Sequence, residues 1–188
     1  MKICLVKFPV LFLSLFMLVE VNHATIMKRM SIGELTRSSG IIAIGKVVTV
    51  ESAWNTEHTM IFTNVEVSID SALKGSDQRD NITFTLSGGI VGNIETVLIG
   101  SPRFNVGENT LLFLGNMDII PAYNSLSVIG LSQGKFNIVT DPGTNSKMAV
   151  RHTSDIHFIG ENNGAAPEDR IELQELIQFI RAELEGEE

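Results

Sequence analysis

Between Ile61 and Leu73 the chain alternates so regularly that only a β-strand fits it. Ile61, Thr63, Val65, Val67, Ile69 and Leu73 fall on one side, and Asn64, Glu66, Ser68 and Asp70 on the other. A period of two is the signature of a strand with one buried face; a helix would scatter these residues around its axis. The segment before it, Ile41–Trp54, is rich in β-branched residues and apolar on both faces near its start. That pattern predicts a strand that begins centrally and then bends, with Gly45 as the bulge or bend. Further short strands are expected around Ile82–Leu86, Glu95–Ile99, Asn109–Leu114, Leu126–Leu131, Lys135–Thr140 and Lys147–His152, each bounded by Gly, Asn, Asp or Pro. Seven or eight strands at this spacing predict a mainly β fold, an all-β barrel or sandwich. Its expected core includes Ile44, Val65, Val67, Phe84, Leu112 and Phe136.

The stretch Gly88–Leu114 holds five glycines and Pro102 between two apolar strands. Glycine-dense loops cradle phosphate when a helix follows, with a lysine in the P-loop version; here a strand follows and no lysine does. The stretch therefore reads as a hinge of tight turns. It also supplies a candidate contact rim, because glycine lets a partner approach the backbone closely and loops at a barrel end are where such folds bind. The candidate binding residues are Trp54, Gly88, Gly89, Gly92, Pro102, Arg103, Phe104, Gly107 and Glu108. The same glycines equally serve turns, and Trp54 equally serves packing at a barrel rim.

At the N-terminus, Lys2 and Lys7 precede an apolar run, Phe8–Val19, too short to span a bilayer. Residues 1–23 are expected to be a signal peptide cut near Ala24, followed by a β-barrel domain over 24–160 and a hinge with an acidic helix over 161–188. Taking Lys2, Lys7 and Glu20 from 14 basic and 22 acidic residues leaves 12 and 21, a balance of −9. Without a clustered basic surface, nucleic acid is excluded as a partner. The one cysteine, Cys4, lies inside the signal, so no disulfide or thiolate chemistry is expected of the exported chain. Ser31 and Glu34 have capping-box spacing for a short helix to about Ser38. A C-terminal amphipathic helix is expected from about Pro167, opened by Glu168 and Asp169 and carrying the stripe Leu173, Leu176, Ile177, Ile180 and Leu184.

Catalytic and metal-binding patterns are sparse. His152, Asp155 and His157 are the best polar constellation, but on an extended strand His152 points away from the other two, so a shared site requires a turn between them. No G-x-S-x-G elbow marks a nucleophilic serine. Glu95 and Glu108 flank the glycine-rich stretch as the two carboxylates a glycosidase would need, although Glu108, following a glycine turn, is expected to accept from turn amides. Asn81-Ile82-Thr83 matches a glycosylation sequon. Tyr123 joins Trp54 as a large amphipathic aromatic. No cofactor is implied.

The order of Ile41-Ile-Ala-Ile-Gly-Lys-Val47, Trp54, Ile61 to Lys74-Gly75, Gly88-Gly89, Pro102-Arg-Phe-Asn-Val-Gly-Glu108 with Leu112–Leu114, and Gly130-Leu-Ser-Gln-Gly-Lys-Phe136 resembles a secreted bacterial domain of no assigned activity, sometimes found near matrixin-type metalloproteases. The resemblance covers roughly residues 30–151. More distantly, the chain is similar to netrin-like modules and tissue inhibitors of metalloproteinases, which share an OB-type barrel. Those inhibitors reach a protease zinc through an N-terminal cysteine, which the mature chain lacks, so the resemblance implies their fold, an OB-like or closely related β-barrel, closed or nearly closed, and not their mechanism. Together these readings lead to the expectation of a secreted or periplasmic, non-enzymatic binding or protease-regulating module that acts through a loop rim. Its partner would be an exported protein such as a protease, with no stable membrane span after signal removal. The alternative is a secreted hydrolase or metal-binding protein using His152, Asp155 and His157, or Glu108.

Overall fold

Two 14-residue strands, β2 (Ile41–Trp54) and β3 (Ile61–Lys74), form the spine of the molecule. The computed structural model describes residues 25–75, 80–116, 126–159 and 169–186. Around the spine lie β1 (Thr25–Met27), α1 (Ile32–Ser38), β4 (Asn81–Val91), β5 (Ile94–Val97), β6 (Asn109–Asn116), β7 (Leu126–Val128) and β8 (Lys135–Thr140). The chain continues through β9 (Lys147–Val150), β10 (Ile156–Phe158), β11 (Arg170–Glu172) and α2 (Leu173–Glu185). The main sheet runs β11-β9-β8-β6-β2-β3-β4-β5, with β7 beside β6 and every neighbouring pair antiparallel. β1 and β10 form a separate parallel pair.

The fold is mainly β, as the alternation requires, but the sheet does not close. It curls until β7 packs near β4, yet the two exchange no ladder, and the terminal strands β5 and β11 do not meet. The reason lies in β2. β6 pairs only with Ile41–Lys46, whereas β3 follows β2 all the way to Trp54. Beyond Lys46, the bond from Val47 N–H to the Glu108 carbonyl at 3.0 Å and that from Gly107 N–H to the Val47 carbonyl at 2.8 Å tie the incoming chain to β2. Past that point the sheet splays, and a hollow opens over its inner face.

The register explains which residues are buried where. Between Ile44 and Gly45 it shifts, stepping over Asp70 of β3. Gly45 is needed there because a Cβ would strike the Ser68 carbonyl oxygen. A one-residue step turns alternate side chains over. Val65 and Val67 therefore face the inner core, while Leu73, expected beside them, packs on the outer face against the helices.

Two cores result. The inner one gathers Ile41, Ala43, Val47, Val65, Val67, Ile82, Phe84, Leu86, Phe104, Leu112, Leu114 and Val128. The outer one joins Ile42, Leu111, Phe113, Phe136 and Ala149 to Ile32 and Leu35 of α1 and Leu176 and Ile180 of α2. Of the expected core, Val65, Val67, Phe84, Leu112 and Phe136 are buried, but Phe136 belongs to the outer set, and Ile44 is half-buried there.

The capping box of α1 forms as spaced: Glu34 N–H donates to Ser31 Oγ at 3.2 Å, and Ser31 N–H donates to Glu34 Oε2 at 2.9 Å. The Lys28 ammonium 2.8 Å away, with the Ser31 N–H and hydroxyl that both donate to Oε2, pulls the Glu34 carboxyl down to about 2. The C-terminal helix starts later than expected, at Leu173, because Arg170–Glu172 pair with β9 as a strand. Asp169 is not a helix-opening acid. It is 5% exposed and accepts from Arg151 Nε at 2.7 Å and Arg29 Nη1 at 3.1 Å. Pro167, Glu168, Tyr123, Cys4 and the expected signal lie outside the described residues.

Candidate functional site

Where the sheet splays, a groove of about 340 Å³ opens over the inner face. Its floor is Val50 and Ser52 of β2, Thr63 and Val65 of β3, and Leu86 of β4. One wall is the β4–β5 hairpin, and the other is Ser101–Asn105, whose Phe104 ring packs edge-on against Phe84 with centroids 5.2 Å apart. Two polar side chains in the floor hold the hairpin. Thr63 Oγ1 bonds to the Gly88 carbonyl at 2.7 Å and lies 2.8 Å from Ser52 Oγ. Gly89, with φ of 142°, sits above both hydroxyls, and a Cβ there would collide with each of them. The wall residues Ile90, Val97 and Leu98 are 61%, 54% and 44% exposed. This is bare apolar surface beside a floor that sets Val50 and Leu86 next to the Ser52 and Thr63 hydroxyls.

A second hollow, about 230 Å³, lies behind the same segment and is lined by Arg103, Glu108, Ser132, Lys135, Asn137, His152, Ser154 and Asp155, among others. Its centre is Lys135, buried at the start of β8. The Lys135 ammonium donates to Glu108 Oε1 at 2.6 Å and to the Arg103 carbonyl, and lies 4.1 Å from the centroid of Phe104. Burial pushes its pKa down, and the Glu108 carboxylate opposes that shift. Lys135 thus fixes the ridge that divides the two hollows. Sequence reasoning gives it no role: it stands in the Gly130–Phe136 segment that carries part of the resemblance, but a lysine opening a short strand is ordinarily exposed, and Glu108 is assigned to turn amides instead.

The structure gathers Gly88, Gly89, Pro102, Arg103 and Phe104 around the apolar groove. Gly92 is outside it, at the first central position of the two-residue β4–β5 turn with φ of 61°, as hairpin closure requires. Trp54 ends β2 and stacks on His58, centroids 6.3 Å apart. Gly107 lies in the turn that ties Asn105–Glu108 to β2. Glu108 belongs to the polar hollow and, contrary to expectation, takes side-chain donors from Lys135 and, at 3.5 Å, Asn105. Glu95 lines the apolar groove instead, so the two carboxylates do not share one cleft.

His152 and Asp155 do line one hollow, against the alternation expected of a strand. The chain turns between them, with Ile156 N–H bonded to the Thr153 carbonyl at 3.0 Å. His157 is carried away into β10, opposite Ile26. Ser154 Oγ lies 3.4 Å from Asp155 Oδ1, while His152 has no hydrogen-bond partner among the described residues. No three His, Cys, Asp or Glu side chains among the described residues are grouped to hold a metal ion. No helix among them is long and apolar enough to cross a membrane. Neither a protein-family model nor a curated protein matches the chain.

Proposed function

We propose that the chain is an exported, non-enzymatic binding module, a relative of OB-type and netrin-like barrels, that captures a polypeptide partner in the apolar groove. A protease is one such partner, following the resemblance in the sequence. One observation carries the reading: Ile90, Val97 and Leu98 stand exposed around a floor of Val50, Val65 and Leu86. Apolar surface concentrated in a concave site with a few fixed polar groups is the usual form of a recognition site. Export rests on residues 1–23 and the cysteine usage of the sequence.

The test pans a displayed library of random twelve-residue peptides on the immobilised full chain and on the Gly89→Asp/Arg103→Ala variant. The variant must first show an unchanged circular dichroism spectrum. The expected result is a set of peptides retained by the wild type and lost by the variant. Peptides retained equally by both would move the site elsewhere, and retention of none would overturn the reading.

Glu108, His152 and Asp155 lining one hollow favours a second reading, a secreted hydrolase. Cleavage of a generic ester or peptide substrate by the purified protein, abolished by His152→Ala, would establish it in place of the first.

A further inference from the structure

We infer that the partner enters the groove as an added β-strand, paired along the outer side of β5, with every second side chain turned into the groove. This rests on the groove reading above and specifies its binding mode. Among the described residues β5 is bonded to β4 alone, and all four of its residues are exposed. A strand paired on one side presents half of its N–H and C=O groups outward, where only another strand matches their spacing.

The lining of the groove brings main chain to it. Glu95, Thr96 and Val97 of β5, Leu98 after it, and Ser87–Ile90 of β4 all border the hollow. Successive side chains of a strand point to opposite faces, so runs of both parities mean that backbone of the hairpin, and not one row of side chains, borders the groove. An extended segment laid there would gain main-chain bonds from the edge and burial for alternate residues over Leu86, Val50 and Phe104.

The other end of the sheet supplies the contrast. β11 is three residues long, carries Arg170 and Glu172, runs straight into α2, and has Arg170 held by Asp141 at 2.8 Å. Charge, shortness and cover are how sheets protect their edges. β5 has no lysine or proline and no register break along its ladder; its sequence is Ile94-Glu-Thr-Val97.

Charge narrows the partner further. Arg103 on the facing wall is exposed and has no carboxylate partner among the described residues. The chain as a whole carries −8. The fitting segment is therefore extended, apolar at alternate positions, with a single carboxylate opposite Arg103 and no run of acids.

The test uses the peptides retained in the panning above, resynthesised with alternate backbone amides N-methylated, first on one parity and then on the other. Binding to the full chain is read by fluorescence anisotropy. Methylation on one parity should weaken binding ~10-fold or more, the loss of about two net hydrogen bonds, and methylation on the other parity should not. Val97→Lys, with an unchanged circular dichroism spectrum, should weaken the unmodified peptides similarly. Equal affinity for both methylated forms would overturn strand addition while leaving the groove reading intact. Sedimentation showing a dimer of the free chain that Val97→Lys dissociates would overturn it as well, since a second copy would then occupy the edge. Retention of no peptide in the panning would overturn both.

Discussion

The half of the sheet backed by helices and the half that ends in the β4–β5 hairpin are made of equally good strand formers, yet they are built to opposite ends. In β6, Leu111 and Phe113 face α1 and α2 while Leu112 and Leu114 face the inner core, and all four are at most 1% exposed. In β5, no residue is buried. Strand propensity is thus common to both halves, and cover is what separates them. One half is committed to holding the fold, which frees the other to expose an edge and a groove. Marginal local stability at the uncovered edge is the expected companion of that division.

The largest expected effect breaks the covered half. Phe113→Ala removes a fully buried ring that lies 6.0 Å from Phe136, and should cost about 3–5 kcal/mol in denaturant unfolding. Ile94→Ala in β5, where the side chain is largely in water, should cost under about 0.5 kcal/mol. Similar losses at both sites would erase the distinction drawn between the halves.

Next comes the clamp at the helix-backed end. Asp169 sits between Arg151, whose side chain is 0% exposed, and Arg29, whose guanidinium lies 3.9 Å from the centroid of Phe158. Asp169→Asn removes a carboxylate from between two largely buried guanidinium groups and should cost about 3 kcal/mol, because breaking one partner of a buried pair is far worse than losing a surface pair. The same measurement on Lys28→Ala, the exposed partner of Glu34, should move stability by less than about 1 kcal/mol.

Smaller than the losses at Phe113 and Asp169 is the effect at the α1 cap. Ser31→Ala should cost about 1 kcal/mol. Glu34 has its carboxyl lowered, so its contribution is complete above the unfolded value of 4.5 and is lost as pH falls toward about 2. In a pH titration of stability, Glu34→Gln should flatten that acid limb by lowering stability slightly in the neutral region and leaving the acid end unchanged.

The division between the halves also governs what the sequence could reveal. Period-two alternation made β3 and β4 legible, because a strand with one buried face must alternate; β2 and β6 showed instead as β-branched or continuous apolar runs, and Ser31 with Glu34 announced α1 directly. Leu73 was assigned to the wrong face because the step over Asp70 is a backbone event without a pattern in side-chain type. β11 was hidden inside the helical stripe, since three residues are too few to show a period. Closure was over-read for a different reason. Strand count and spacing do not say whether the end strands meet, and here β6 leaves β2 after Lys46. At the candidate site, glycine density led to Gly88 and Gly89, and Pro102–Phe104 came with the turn that follows. The polar anchors Ser52, Thr63 and Lys135 were invisible, because their importance lies in partners far away in the chain.

Hydrogen exchange of the full chain, followed by mass spectrometry on segments covering Gly88–Leu98 and Asn109–Asn116, tests the central claim most directly. The account predicts that the hairpin segment exchanges far faster than β6 in the free protein, and that a retained peptide slows exchange at Ile94–Val97 while leaving β6 unchanged. A hairpin already as protected as β6 when free, or one whose exchange a bound peptide does not alter, would contradict it.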